Sequence, residues 1–178
     1  MSLLEVNNLC VFRGKNKILN DISFSVSSGD WLMLIGPNGS GKSTLIKGIM
    51  GELETTGLVK LNDKNFHSFS NVEKALNIGV LSQKNNPMYS FTVKEVVELG
   101  TYAKKKGIFK IKSKEDSTYI DEILKKTKLY DLKNKSILSL SGGELQRVFL
   151  AQVFAQNPDI LILDEPINNL DVNFQKEI

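Results

Sequence analysis

Apolar and polar residues alternate over 3–12 and again over 22–26, the period of two that half-buried strands need because successive side chains point to opposite faces. The two stretches predict neighbouring antiparallel strands. Residues 31–35 are apolar throughout, the pattern of a strand covered on both faces, and they run straight into a cluster of glycines. Beyond Gly41, Leu45, Ile46, Ile49 and Met50 fall at helical spacing, with Gly51 placed to stop the helix. Residues 57–62 and 78–81 read as further short strands. From there to about residue 157 the texture is helical. Residues 93–105 and 114–129 both carry apolar side chains three and four apart, the second with Ser113 as N-cap and Asp116 three positions on. Residues 159–163 return to a continuous apolar strand. Buried strands alternating with helices predict an α/β core with a mostly parallel sheet, beside an antiparallel β portion and an inserted helical portion.

Composition narrows the class. The chain has 178 residues, 41% hydrophobic and 24% charged, enough for one ordinary domain that buries about 70% of its unfolded surface. A disordered tail, a collagen-like repeat and a disulfide-stapled mini-protein are excluded. The longest unbroken apolar run, 31–35, is five residues, against roughly 18 for a membrane span, so any membrane role is expected to come through a partner. The first dozen residues carry Glu5, no lysine before Lys15 and no small-residue cleavage pattern, which argues against a signal peptide. The single cysteine, Cys10, excludes an internal disulfide and suits a reducing cytoplasm.

Twenty-three basic residues against 20 acidic ones give a net charge of +3, too mild to point to nucleic acid, and none is expected as a partner. Between Thr101 and Lys114 lie six lysines (104, 105, 106, 110, 112 and 114) and no acid. A solvated helix end and loop is the plain reading; a patch facing anionic lipid or an acidic partner is the other.

Three motifs carry chemistry. The first is Gly36-Pro37-Asn38-Gly39-Ser40-Gly41-Lys42-Ser43-Thr44, which fits G-x-x-x-x-G-K-[ST] and lies between the expected buried strand and a helix. Glycines let the loop bring backbone N–H groups against phosphate oxygens, and the helix points its positive end at the same anion. Lys42 adds a charge near the outer phosphates and Ser43 a hydroxyl for Mg²⁺. The second motif is the apolar run 160–163 ending in Asp164 and Glu165. Ligands of open α/β sheets bind beyond the carboxyl ends of the strands, so Asp164 suits Mg²⁺, directly or through water, and Glu165 suits orienting and deprotonating a water. Taken alone, Asp164-Glu165-Pro166 is equally well a turn. The third is Leu140-Ser141-Gly142-Gly143-Glu144. Ser141 and Glu144 form a capping box, so a helix starts here with Leu145, Val148, Phe149 and Val153 on its buried face. Two glycines in a first helical turn cost roughly 1 kcal/mol each, and a bare helix start is a second anion site. It is expected to meet the γ phosphate of ATP held by another copy, although the motif alone is also read as a flexible helix cap.

From about Leu4 to Asp171 the chain resembles the nucleotide-binding subunit of ATP-binding cassette (ABC) transporters, with residues 36–43 as Walker A, 140–144 as the family signature and 160–164 as Walker B. The resemblance implies a P-loop NTPase fold as one cassette over 1–178. Its catalytic core comprises 1–84 and 158–178, its helical subdomain 85–157, and the C-terminal part of the family fold is expected to be missing. It implies an ATPase that powers transport, with ATP and Mg²⁺ as ligands and Glu165, Lys42 and Gln83 as catalytic residues. Ser43, Gln83 and Asp164 attend the metal. Phe12 resembles the aromatic that stacks on adenine, a position where the family more often has tyrosine. Gln83 falls in the Q-loop, which senses Mg²⁺ and the attacking water and touches the membrane subunits. Residues 168–171, ending in Asp171, form the D-loop that joins protomers. The implied partners are integral membrane transporter subunits and a second copy bound head to tail on ATP binding, with Ser141, Gly142 and Gly143 acting in trans. The implied place is peripheral, on the cytoplasmic face of the cell membrane.

Departures qualify the resemblance. The family's switch histidine follows the D-loop, whereas the one histidine here, His67, precedes Gln83 and reads as a surface or packing residue. Thirteen residues follow Glu165; a truncated chain is expected rather than a naturally short subunit, with nucleotide binding surviving and hydrolysis weakened. Residues 92–100 resemble the helical-domain start of importers for iron chelates, haem or cobalamin, but Thr101 stands where that group has arginine. A fragment of a soluble translation-type ABC protein and a nucleotide-gated binding module without turnover are the rival readings.

Overall fold

The computed structural model describes residues 2–82, 89–104 and 114–164, within two compact units, 1–70 and 71–178. In the first unit, β1 (Ser2–Arg13) and β2 (Asn16–Ser27) form the expected antiparallel pair. With β3 (Glu54–Leu61) and β4 (Lys64–Asn65) they make a four-stranded sheet of order β2-β1-β3-β4. Helix α1 (Lys42–Met50) packs on it, burying Leu45, Ile46 and Ile49. On the sheet, Val6, Val11, Val59 and Leu61 are fully buried, each worth about 1.5–3 kcal/mol of apolar transfer. Helix α1 ends as expected: the Gly51 N–H bonds the Gly48 carbonyl at 3.1 Å and the Glu52 N–H the Lys47 carbonyl at 2.9 Å. His67 is exposed in the turn after β4.

One expectation is overturned. Residues 31–35 are not a strand: they carry no regular secondary structure, with Trp31 94%, Met33 79% and Ile35 86% exposed. Asp30 closes the turn before them, its carboxylate accepting the Ser27 N–H at 2.8 Å. An apolar run states that a segment suits burial, but a strand exists only where a neighbour completes its hydrogen-bond ladder. Among the described residues none pairs with this run.

The second unit contains α2 (Asn71–Asn77), β5 (Ile78–Leu81), α3 (Val93–Leu99), α4 (Lys114–Lys126), α5 (Gly142–Gln156) and β6 (Ile160–Leu163). Strands β5 and β6 pair in parallel, Ile78 opposite Ile160 through Leu81 opposite Leu163. Helices α3, α4 and α5 share a core of Val93, Val97, Ile120, Leu124, Val148 and Ala151. Helix α3 starts in a capping box, Thr92 with Glu95, and stops earlier than its periodicity predicts. At its end the bonding tightens to one turn of three, the Gly100 N–H on the Val97 carbonyl at 3.1 Å and the Thr101 N–H on the Glu98 carbonyl at 3.0 Å, and Gly100 lies so close to α5 that a Cβ there would collide with the Gln152 carbonyl oxygen. Helix α4 also ends early, at Lys126, with Lys128 beyond it in the left-handed region (φ 57°) and the Leu129 N–H turned back to the Leu124 carbonyl at 2.7 Å. Its expected cap, Ser113, lies outside the described residues. No helix among the described residues is long and apolar enough to cross a membrane.

Candidate functional site

In the first unit, residues 36–41 curl into a loop that hands the chain to α1. Gly39 and Gly41 adopt φ of 82° and 97°, where an L side chain is strained. At Gly41 space is denied as well, since a Cβ would come within 2.7 Å of Leu19 Cδ2. Leu19, on β2, was not singled out by sequence reasoning, because only the tertiary packing sets it against the loop. The Ser40 N–H bonds the Pro37 carbonyl at 3.2 Å and the Leu45 N–H the Gly41 carbonyl at 2.8 Å, so loop and helix form one continuous turn.

Helix α1 has Gly41 as N-cap, no side-chain cap hydrogen bond and no acid in its first turn. Its positive pole is therefore offset by nothing within the helix, and an anion is what such a terminus favours. Half-buried Lys42 reaches back along the loop, its Nζ donating to the Gly36 carbonyl at 2.8 Å and the Pro37 carbonyl at 3.0 Å. The ammonium thus stands within the loop, held by two neutral acceptors that a phosphate would outcompete. Ser43 and Thr44, also half-buried, follow in the first turn. Phe12, near the end of β1, is half-exposed and faces Lys17 across the β1–β2 ladder.

The second unit holds the other described candidates. Ser141 caps α5 as its sequence predicts: its N–H and Oγ–H both donate to Glu144 Oε2 at 2.7 Å, and its Oγ accepts the Glu144 N–H at 3.3 Å. These donors hold the Glu144 carboxyl below the ordinary glutamate range, chiefly the Ser141 N–H, then its hydroxyl, with Arg147 and Lys135 adding charge. Burial of α5 follows the expected face, with Val148 and Val153 buried and Leu145 and Phe149 half-buried. Gly142 is exposed, and a Cβ there would meet nothing within 4 Å. Packing among the described residues therefore gives no reason for that glycine.

Asp164 continues the parallel ladder past β6, its N–H bonding the Leu81 carbonyl at 2.9 Å. The carboxyl ends of β5 and β6 thus finish side by side, with Asp164 at the edge where sheets of this class place ligands. Gln83, Glu165 and Asp171 lie outside the described residues. Within the first unit, then, the structure brings together residues 36–44 and the Leu19 segment of β2, while Ser141, Gly142, Gly143 and Asp164 occupy their own places in the second.

A phosphate loop leading into an uncapped helix, an α/β core and a capped glycine pair define a nucleotide-binding cassette, and the ABC transporter family model matches residues 19–168. The chain belongs to that family. It is 42% identical over 174 residues to the zinc uptake system ATP-binding protein ZurA of Listeria innocua, covering 96% of this chain and 66% of ZurA. It is 40% identical over 166 residues to the uncharacterized ABC transporter ATP-binding protein YvrA of Bacillus subtilis, covering 93% of this chain and 38% of YvrA. Relatives named for hemin, petrobactin and cobalamin import are 34% to 39% identical. A solved ATP-binding cassette of an ABC transporter superposes with a TM-score of 0.82 at 31% identity, over 99% of this chain and 74% of that one.

Proposed function

We propose that this chain is the ATP-binding part of an ABC importer and that it binds and hydrolyses ATP to drive uptake through membrane partner subunits. The observation that carries the reading is Lys42, its ammonium held on two loop carbonyls at 2.8 and 3.0 Å in front of an uncapped helix start. A triphosphate replaces neutral acceptors with charged ones and supplies the helix pole with its anion. Phe12 stacks on the adenine. Ser43 and Asp164, with Gln83, hold Mg²⁺, which neutralises charge building on the phosphates. Hard oxygen groups of this kind are the donors Mg²⁺ prefers. Glu165 orients the attacking water and takes its proton.

Two copies associate head to tail on ATP, each completing the other's site with Ser141, Gly142 and Gly143. The exposed Gly142, for which packing among the described residues supplies no reason, supports a ligand presented from outside. Asp171 joins the protomers. The place of action is the cytoplasmic face of the membrane, reached through the partner subunits. The names of the relatives support a metal ion or a metal chelate as cargo, without separating zinc from the chelates.

The test is a mixed dimer with Ser141→Ala in one copy and Lys42→Ala in the other. Head-to-tail assembly leaves one site with both groups intact, so about half of the ATP capacity is retained. Equal damage to both sites contradicts the assembly, and absence of MgATP binding by the unaltered chain contradicts the reading as a whole.

A further inference from the structure

The β1–β2 ladder slips by one residue at Ile18: Val11 pairs with Leu19, but Phe12 pairs with Lys17. An extra residue of this kind bends its strand and re-aims the neighbouring side chains. Here it sets Lys17 across from Phe12, with Nζ over the ring 5.6 Å from the centroid. That is within the range at which an ammonium is drawn to the negative face of an aromatic ring. Lys17 Nζ also donates to Asn20 Oδ1 at 3.2 Å, which tethers the ammonium. On the far side of the slip, Leu19 closes on Gly41 of the phosphate loop. Residues 17–19 therefore link the ring of Phe12 to the loop.

We infer that Lys17 is a positioning residue for the nucleotide base, an inference that rests on the reading of Phe12 as the adenine stack. A ring has two faces. The ammonium occupies one and leaves the other to the purine, and by drawing π density toward itself it makes the free face a better partner for an electron-rich base. Lys17 acts through Phe12, so its influence is confined to ligands that carry a base. A ligand made of phosphates alone does not register it.

The test titrates the full chain by calorimetry with MgATP and, separately, with magnesium tripolyphosphate. Lys17→Met is expected to weaken ATP about two- to fivefold and to leave tripolyphosphate unchanged, while Lys17→Arg restores ATP binding. In a Phe12→Leu background, Lys17→Met is expected to add nothing. An equal loss for tripolyphosphate makes Lys17 a phosphate contact and overturns the inference. So does an unchanged Lys17→Met beside a weakened Phe12→Leu, which leaves the stacking reading intact. Full ATP affinity in Phe12→Leu overturns the stacking reading, and the inference with it.

Discussion

Two helix starts among the described residues lie in glycine-containing loops, and they are opposites. Helix α1 begins at Gly41 with no side-chain cap and no acid in its first turn, and the loop before it holds the ammonium of Lys42. Helix α5 begins at Ser141 in a complete capping box, and the Glu144 carboxylate takes both of that serine's donors. The first leaves its polar groups and its positive pole for a ligand; the second has used the Ser141 donors and the Glu144 N–H on its own capping box. A helix start becomes an anion site only to the extent that its own sequence leaves it unsatisfied. Under the proposed head-to-tail assembly, the Ser141 hydroxyl would exchange Glu144 for a phosphate brought by another copy.

The largest expected effect is at the open start. Lys42→Ala weakens MgATP binding by about 10- to 100-fold, the worth of a charged hydrogen-bonded contact, while calorimetric melting moves little. An unchanged affinity would erase the distinction between the two helices. Next comes an alanine exchange at the two glycines. Gly41→Ala places a side chain at φ 97° and against Leu19, and urea unfolding is expected to show a loss of about 1–3 kcal/mol. Gly142→Ala meets empty space and is expected to gain about 0.5–1 kcal/mol while impairing ATP-driven dimerisation, measured by sedimentation. A loss of stability there instead would give Gly142 a structural purpose.

Ser141→Ala is expected to cost about 1 kcal/mol of stability through the lost cap and to leave ATP affinity of the monomer unmoved. Weakened monomer binding would mean that the two starts serve one site within a single copy. The smallest effect is the pH dependence of Glu144. Its carboxyl titrates below the ordinary glutamate value because the Ser141 donors favour the charged form. The stability it contributes is therefore complete above about pH 4.3 and is lost as pH falls through the lower folded value. Glu144→Gln keeps the geometry but not the charge, so its denaturation midpoint is expected to lose that acid-side dependence at a cost of about 0.3–1 kcal/mol.

Local features were legible in the sequence. Residues 78–81 form the strand their pattern predicts, and both halves of the Ser141–Glu144 box are present, because both depend on residues close along the chain. What depended on distant partners was not. Residues 31–35 have a strand's composition but no ladder partner among the described residues. The close approach of Gly100 to Gln152, over 50 positions away, leaves no mark in the helical spacing. The pairing of Lys17 with Phe12 follows from a one-residue slip that no periodicity announces. The phosphate loop was readable because glycine spacing, lysine and helix start are all contiguous. Its lysine's resting contacts with Gly36 and Pro37 were not, since a spacing pattern gives no side-chain partner.

The most direct measurement follows the backbone amide resonances of residues 36–44 and the Lys42 side-chain signal as MgATP is added to the labelled full chain. Saturable shifts at Gly39, Gly41 and Lys42, moved for the loop amides to about 10- to 100-fold higher nucleotide concentration by Lys42→Ala, are expected as the ammonium leaves the Gly36 and Pro37 carbonyls for phosphate. Signals that stay in place at saturating nucleotide would contradict the assignment of this loop as the triphosphate site.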